Sequence, residues 1–146
     1  MNAEVIVGLL EYNGPEQLES IALRDKVLRK PIGLKYSEVD LVSERTEHHI
    51  GAMIDGKVVG ILLLRHLTEH EVKMRQVAVD FDLQGKGIGK KMVEFSEELA
   101  RSIGYRLMSL HARDIAIPFY EALDYSKVGE PFQEVGITHY RMEKAL

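Results

Sequence analysis

Residues 75–91 read RQVAVDFDLQGKGIGKK, and this stretch decides how the rest of the chain is interpreted. Its first part ends in VAVD (77–80), which is typical of a strand, and its second part alternates three glycines with other residues. The next segment predicts a helix over 85–102, because apolar residues recur at helical spacing. That stripe comprises Ile88, Met92, Phe95, Leu99 and Ile103. A glycine loop at a helix N-terminus is a common phosphate-binding arrangement.

Two familiar phosphate loops do not fit the spacing. The P-loop requires four residues between its first glycine and the Gly-Lys pair, followed by Ser or Thr. Here only three residues separate Gly85 from Gly89-Lys90, and Lys91 replaces the hydroxyl. The dinucleotide fingerprint G-x-G-x-x-G also fails, since the loop reads G-x-G-x-G. Two interpretations stay open: an anion site made of backbone N–H groups with Lys86 and Lys90 adding charge, or a glycine-rich turn with solvated lysines.

The composition is that of an ordinary globular protein. The chain has 146 residues, 45% of them hydrophobic and 29% charged, with a net charge of −4, which predicts one domain over 1–146 with a buried core. It has no cysteine, so disulfides, thiolate zinc sites and a cysteine nucleophile are excluded. The net negative charge gives no argument for nucleic-acid binding. The sequence also shows no signal-peptide pattern and no apolar run long enough to span a membrane. We therefore expect a cytoplasmic protein.

Strand-like and helix-like segments alternate along the chain. The predicted strands cover 4–12, 48–54, 57–66, 71–79, 105–110, 125–128 and 137–142, and the predicted helices begin at Pro15 and cover 85–102 and 116–123. Asp55-Gly56 between two apolar runs predicts a hairpin. The run VVGILLL (58–64) lacks alternation, as expected of a strand covered on both faces. In the first helix, Leu18, Ile21, Ala22 and Leu28 are expected to form the apolar side.

Four segments in this order resemble the GNAT superfamily of N-acetyltransferases. The loop QGKGIG (84–89) matches that family's Q/R-x-x-G-x-G/A motif, and RQVAVD (75–80) resembles its fourth strand. FYEALDY (119–125) resembles its motif B, and PFQEVGITHYRMEK (131–144) resembles the end of small stand-alone bacterial members. The resemblance covers most of the chain. It implies an α+β, three-layered fold with a mixed, mostly antiparallel sheet, helices on both faces, and fourth and fifth strands that splay apart.

The resemblance also implies a reaction and a co-substrate. GNAT enzymes move an acetyl group from acetyl-CoA to an amine by direct attack, with acetyl-CoA in the gap between the splayed strands and without a metal. Arg113 stands where many members have an asparagine that contacts the cofactor, so either a different bond replaces that contact or it is absent. The implied cofactor-binding residues are Val77, Ala78, Val79, Gln84, Gly85, Lys86, Gly87, Ile88, Gly89, Lys90, Arg113 and Phe119.

Tyr120 occupies the family's tyrosine position and is the candidate general acid for the leaving thiolate, since a phenol within hydrogen-bond reach can protonate it. The alternative is a tyrosine packed in the core. Many GNAT enzymes carry a glutamate where this chain has Lys73, so either a chain of water molecules or another group removes the amine's proton. The candidate bases are His111, Glu134 and His139, and His111 is the best placed of them because histidine titrates near neutral pH. Its alternative role is a hydrogen-bonded histidine at a strand end.

The acceptor side is the least determined part of the sequence. Glu134 and His139 either line the acceptor site or order the C-terminal strands. The segment 33–46 is expected to cover that site, with a slight preference for a cationic acceptor from its charges, Lys35, Glu38, Asp40 and Glu44. The expected partners are acetyl-CoA and an amine, with no nucleic acid or membrane, and homodimers are common in the resembling family. Lys73 also supports an alternative, a non-catalytic acyl-CoA-binding sensor or interaction module.

Overall fold

The computed structural model describes residues 4–34 and 36–146, without the side chains of Glu38 and Val39. The strands are β1 (Val5–Leu10), β2 (His48–Ile54), β3 (Lys57–His66), β4 (Glu71–Val79), β5 (Leu107–Arg113), β6 (Ser126–Glu134) and β7 (Ile137–Ala145). The α-helices are α1 (Pro15–Arg24), α2 (Glu38–Ser43), α3 (Ile88–Ile103) and α4 (Ile117–Glu121). A π-helical turn (Asp25–Arg29) and a 3₁₀ turn (Lys30–Ile32) extend α1. Within the described residues, no helix has the length and apolar character needed to cross a membrane.

The strands form one seven-stranded sheet in the order β1-β2-β3-β4-β5-β7-β6. Neighbouring strands are antiparallel except for the parallel pair β4 and β5, so the expectation of a mixed, mostly antiparallel sheet is confirmed. The predicted hairpin of β2 and β3 is confirmed with the same bounds. Its turn has positive φ angles of 50° at Asp55 and 77° at Gly56, the geometry that Asp-Gly favours.

The β4 and β5 strands separate partway along their length. Their pairing runs from Glu71 with Leu107 to Met74 with Leu110, and then stops, although both strands continue. β4 bends at this point, because its register with β3 shifts between Ile61 and Leu63 and Gln76 takes a φ of 57°. The expected splaying of the fourth and fifth strands is therefore confirmed, and it leaves a gap in the middle of the sheet.

Helices cover both faces of the sheet, but they differ in what they bury. The larger apolar core lies under α3 and α4, and the smaller core, around Leu23 and Ile61, lies under α1. Residues 58–64 of β3 are all buried, as the non-alternating run predicted. The predicted apolar side of α1 was wrong in part: Leu28 packs against the smaller core, but Leu18 is 52% exposed. The helix instead buries Gln17, Ser20, Leu23 and Arg24. The polar partners of Arg24, described below, explain this reversal.

Candidate active site

The glycine loop leads directly into α3 and leaves its first turn without a side-chain cap. The Gln84 side-chain amide donates to the Val79 carbonyl at 3.0 Å, which ties the loop to the end of β4. Gly85 and Gly87 have φ angles of 79° and 84°, in the left-handed region that favours glycine. Gly87 is the N-cap of α3, and among the described residues no side chain hydrogen-bonds to this end. The N–H groups of the first turn are thus left for another acceptor.

The space around the three glycines shows which of them a ligand would meet. A Cβ atom at Gly85 or Gly87 would have no neighbour within 4 Å. At Gly89 it would lie 3.2 Å from Cζ of Phe119, so this glycine lets the aromatic ring pack against α3. Ile88 is buried and anchors the helix, whereas Lys86 and Lys90 are exposed. The loop is therefore open to solvent and flanked by two exposed lysines, and Phe119 forms one wall.

The end of β4 supplies peptide groups to the gap, although not from all three predicted residues. The Asp80 N–H donates to the Val59 carbonyl at 2.9 Å. Because peptide groups of alternate residues point to opposite sides of a strand, those of Ala78 face β3, and those of Val77 and Val79 face the gap. The Ala78 side chain is buried in the smaller core. Of the three predicted residues, Val77 and Val79 therefore direct backbone groups toward the space between β4 and β5, and the Val79 carbonyl there already accepts from Gln84.

Tyr120 lies in α4, on the same face of the sheet as α3. It is 7% exposed, and its ring packs edge-on against Phe119 and Tyr125, with centroids 4.9 and 5.8 Å away. Burial raises the pKa of its phenol well above the ordinary value, so the hydroxyl stays protonated at physiological pH. Tyr125 is committed elsewhere, because its hydroxyl donates to Glu97 at 2.8 Å. Asp124 lies in the turn between the two tyrosines and takes a left-handed φ of 71°, which aspartate tolerates better than most residues.

Four polar side chains meet on the opposite face, where β4, β5, β6 and β7 lie side by side. Nζ of Lys73 is 3.3 Å from Nδ1 of His111, and Oε1 of Glu134 is 3.2 Å from the same nitrogen. Oε2 of Glu134 is 3.5 Å from Nε2 of His139, whose Nδ1 donates to the Ile137 carbonyl at 2.8 Å. The structure thus brings together four residues that the sequence analysis named, and shows that Lys73 and Glu134 both contact His111.

Burial and the neighbouring positive charges lower the pKa values of Lys73 and His111, and Glu134 opposes them. Burial lowers the pKa of Lys73, opposed by Glu134 and reinforced by nearby arginines. Burial and then the positive charge of Lys73 lower the pKa of His111, and the hydrogen bond and charge of Glu134 oppose them. His111 is therefore neutral over more of the physiological range than a free histidine is. No hydrogen bond joins its Nε2 atom to any residue that the structure describes.

Arg113 also belongs to this face rather than to the cofactor loop. Its guanidinium donates to the carbonyl of Leu28 at 3.2 Å, 85 residues earlier in the chain. Leu28 lies in the turn that extends α1, which packs on β4, so the bond reaches across the gap from β5. Alternate residues of β5 point to opposite faces of the sheet, and Arg113 points to the face covered by α1. The contact with Leu28 therefore holds its guanidinium on the side of the sheet opposite to α3.

A buried ion-pair network lies beside the cluster. Arg24 makes a two-point contact with Glu44 at 2.7 and 2.8 Å, and both side chains are almost fully inaccessible. Arg75 contacts Glu44 at 3.2 Å and Glu47 at 2.9 Å, and Arg65 contacts Glu47 at 3.3 Å. The Glu44 carboxylate is therefore paired with two arginines inside the protein. Its charge is not exposed at the surface, where the predicted attraction of a cationic acceptor would require it. Of the other residues behind that preference, Lys35 lies outside the described residues.

The predicted acceptor segment does contact β4. The Tyr36 hydroxyl donates to Oε1 of Gln76, the residue at the bend of β4, and the guanidinium carbons of Arg24 and Arg29 lie 4.6 and 4.5 Å from the centroid of its ring. Between α1 and α2 is an open pocket of about 410 Å³, lined by Leu18, Ile21, Ala22, Asp25, Tyr36 and Leu41. Among the described residues, no group of three or more His, Asp or Glu side chains is arranged to hold a metal ion.

Comparisons with known proteins agree with this geometry. A family model described as "Acetyltransferase (GNAT) domain" matches residues 26–146. The Bacillus subtilis (strain 168) protein YyaT is 28% identical over 112 residues, which cover 77% of this chain and 74% of YyaT.

Two solved structures share the fold over nearly their whole lengths. An acyl-CoA N-acyltransferase from Pseudomonas aeruginosa superposes with a TM-score of 0.83 at 22% identity and covers 97% of this chain and 100% of its own. A GNAT family acetyltransferase from Elizabethkingia anophelis with acetyl-CoA bound has a TM-score of 0.76 at 14% identity, with 97% and 98% covered. At these identities the likeness shows the fold alone.

Proposed function

This chain belongs to the GNAT family of acetyltransferases, and we propose that it transfers an acetyl group from acetyl-CoA to an amine of a small molecule or protein. One observation carries the proposal: the uncapped N-terminus of α3, with its glycine loop, opens beside the gap between β4 and β5. A helix N-terminus attracts phosphate, and the separated strands leave peptide groups free for an amide-containing chain. Acetyl-CoA carries both a pyrophosphate and such a chain.

We assign the cofactor contacts mainly to backbone groups. The N–H groups of the loop from Gln84 to Lys90 bind the pyrophosphate, with charge added by the side chains of Lys86 and Lys90. Val77 and Val79 pair through their peptide groups with the pantetheine arm, and Phe119 lies against it. When bound, acetyl-CoA supplies the activated acetyl carbon and the sulfur leaving group.

Two side chains on opposite faces of the sheet carry out the proton transfers, His111 as the base and Tyr120 as the acid. The amine attacks the acetyl carbon with its lone pair, and His111 accepts the proton that the nitrogen loses. The carbon–sulfur bond breaks, and Tyr120 donates its hydroxyl proton to the sulfur. Tyr120 lies on the α3 face and His111 on the α1 face, so a thioester held in the gap would lie between them. The net reaction yields the N-acetylated amine and CoA, and both residues regain their starting forms when His111 releases its proton to solvent and Tyr120 takes one up.

The first experiment tests binding and turnover separately. Thermal unfolding is followed with acetyl-CoA, CoA or ATP, since a ligand at about 100 times its Kd adds roughly 2.7 kcal/mol of stability. We expect a rise in Tm with acetyl-CoA and CoA and a much smaller one with ATP. CoA release is then measured against a library of amines. If neither CoA compound raises Tm, the proposed cofactor site is wrong.

Lys73, in place of the family's glutamate, favours a second candidate function, a non-catalytic module that binds acyl-CoA. Its ammonium cannot act as a base while it stays charged, so the usual proton acceptor is missing on β4. The two functions give different results in the same experiment. A strong Tm shift with acetyl-CoA, together with no CoA release from any amine in the library, would favour the binding module.

Tyr120→Phe tests the role of the acid in the catalytic proposal. Removal of the hydroxyl leaves the packing against Phe119 and Tyr125 in place, but sulfur loses its proton donor. We expect kcat to fall by about 100-fold or more, with unchanged affinity for acetyl-CoA measured by calorimetry. Tyr125→Phe is the matched control, because that hydroxyl is bound to Glu97 and a loss there affects stability rather than chemistry. Full activity of Tyr120→Phe would exclude Tyr120 as the acid.

A further inference from the structure

Two oppositely charged side chains compete for one nitrogen of His111. Lys73 approaches Nδ1 from β4 at 3.3 Å, and Glu134 approaches the same atom from β6 at 3.2 Å. A ring nitrogen either carries a hydrogen and donates it, or has a lone pair and accepts one. Nδ1 therefore donates to Glu134 or accepts from the Lys73 ammonium, and the two bonds exclude each other.

The two bonds have different consequences for the other ring nitrogen. When neutral His111 donates from Nδ1 to Glu134, Nε2 has a free lone pair and can accept a proton. When Nδ1 accepts from Lys73, the single ring hydrogen is on Nε2, and His111 cannot act as a base there. The carboxylate of Glu134 thus selects the form of the histidine that is competent in the proposed reaction.

A second histidine lies beside Glu134. His139 is almost fully buried and donates from Nδ1 to the Ile137 carbonyl, so its Nε2 faces Oε2 of Glu134 at 3.5 Å. The Phe132 ring fills the space between the two histidines, with centroids 4.8 Å from His111 and 6.0 Å from His139. Because Nδ1 of His139 carries a hydrogen, its Nε2 attracts Oε2 of Glu134 only when the ring is protonated, and the Glu134 side chain is 44% exposed.

We propose that Lys73 and Glu134 are positioning residues that set the state of His111: Glu134 selects the form with a free Nε2, and Lys73 prevents protonation of the ring. The proposal rests on the acetyltransferase function proposed above. The proposal also explains why a lysine stands at position 73. A carboxylate there, in addition to Glu134, would favour the protonated form of His111, whereas the Lys73 ammonium disfavours it.

The arginines on the strands packed against His111 are bound to carboxylates of their own. Arg141 pairs opposite His111 on β7, and its charge also lowers the pKa of His111, but its guanidinium is bound to Glu71 and Glu143. On β3 and β4, Arg65 and Arg75 are bound to Glu47. Lys73 and Glu134 are the charges in direct contact with the ring among the described residues, so their removal should dominate the response.

The test is the pH profile of kcat/KM in variants of each charge. In Lys73→Met we expect the midpoint of the acidic limb to rise by about one pH unit, a tenfold loss of rate well below the midpoint, because protonation of His111 is no longer opposed. In Glu134→Gln the midpoint should fall by about half a unit, since solvent screens this exposed carboxylate. The rate of Glu134→Gln at high pH should also fall, because the carboxylate no longer selects the form of His111 with a free Nε2.

Controls separate the charge effect from damage to the fold. Lys73→Arg keeps the charge and should restore the wild-type midpoint, and Lys57→Met removes a lysine at the exposed start of β3 and should change nothing. A uniform loss of rate at all pH values in Lys73→Met, with the midpoint unchanged, would show a merely structural role and overturn the proposal.

A second measurement does not depend on turnover. The imidazole resonances of His111, assigned by comparison with His111→Gln, are titrated by NMR in the wild type and both variants. Shifts of the His111 midpoint in opposite directions support the positioning pair even if no amine is acetylated, in which case only the catalytic function fails. Equal midpoints in all three proteins would overturn the pair while the acetyl-CoA assignment stands.

Discussion

The two faces of the sheet flank the same gap but are built in different ways. On the α3 face, the groups directed toward the gap are mainly peptide N–H groups from the glycine loop and β4, with the buried Tyr120 beside them. On the α1 face they are charged side chains, several of which are buried and paired, such as Arg24 with Glu44. Backbone groups depend on chain conformation, whereas paired side chains depend on the identity of both partners.

The difference suggests how one fold can keep its cofactor and change its acceptor. A site made from N–H groups tolerates many side chains, provided that the glycines stay, because its donors belong to every residue. A face made from paired charges changes with each substitution. We therefore expect substitutions on the α1 face to alter stability and the acceptor, and substitutions in the glycine loop to alter acetyl-CoA binding.

The largest expected effect comes from breaking the most buried pair on the α1 face. In Glu44→Gln the Arg24 guanidinium loses its bound carboxylate while it remains fully buried. Loss of one partner of a buried pair costs about 3–5 kcal/mol, and urea unfolding should show a decrease of this size in the free energy of unfolding. Under conditions in which the variant is folded, its affinity for acetyl-CoA should match the wild type.

Glu98→Gln is the matched control for that prediction. Glu98 pairs with Arg101 at 2.8 Å on α3, but its side chain is 78% exposed, and such pairs contribute at most a few tenths of a kcal/mol. If Glu44→Gln lost no more stability than Glu98→Gln, the network would be as weak as an exposed pair and the contrast between the two faces would fail.

A smaller effect is expected where charge is added to the backbone-built loop. Asp and Asn have the same shape and both tolerate the left-handed conformation of Gly87, but only Asp brings a negative charge to the N-terminus of α3. Gly87→Asp should weaken acetyl-CoA binding by about 10- to 100-fold relative to Gly87→Asn, through repulsion of the pyrophosphate. Calorimetry gives both Kd values. Equal affinities of the two variants would place the phosphates elsewhere.

The features that the sequence predicted well are those encoded by neighbouring residues. The hairpin of β2 and β3 follows from Asp55-Gly56, where the turn requires two positive φ angles. A helix after the glycine loop was predicted over 85–102 and is present at Ile88–Ile103, so its start lies three residues later than predicted. The burial of residues 58–64 follows from their unbroken apolar character. Each of these signals lies within about ten residues, so no knowledge of distant contacts was needed.

The features that were missed depend on distant pairing. Lys73 and His111 are 38 residues apart, and Glu134 lies 23 residues further along, so only the order of strands in the sheet brings the three together. The buried side of α1 was mispredicted for the same reason, because Arg24 is buried by virtue of Glu44. One sequence contains no record of such partners, and the gap between β4 and β5 was expected only through the family resemblance.

The smallest expected effect concerns Asp124, where backbone conformation again matters more than the side chain. Asp124 is exposed with a φ of 71°, which glycine adopts without strain, Asp with little and Ala with more. Stability in urea should therefore fall in the order Asp124→Gly, wild type, Asp124→Ala, over a span of about 1–2 kcal/mol. The same two substitutions at Glu121, an exposed position in α4, should give the reverse order, because Ala is favoured in a right-handed helix by about 1 kcal/mol. If Ala were the more stabilising residue at both positions, the left-handed turn between Tyr120 and Tyr125 would not be required by the backbone.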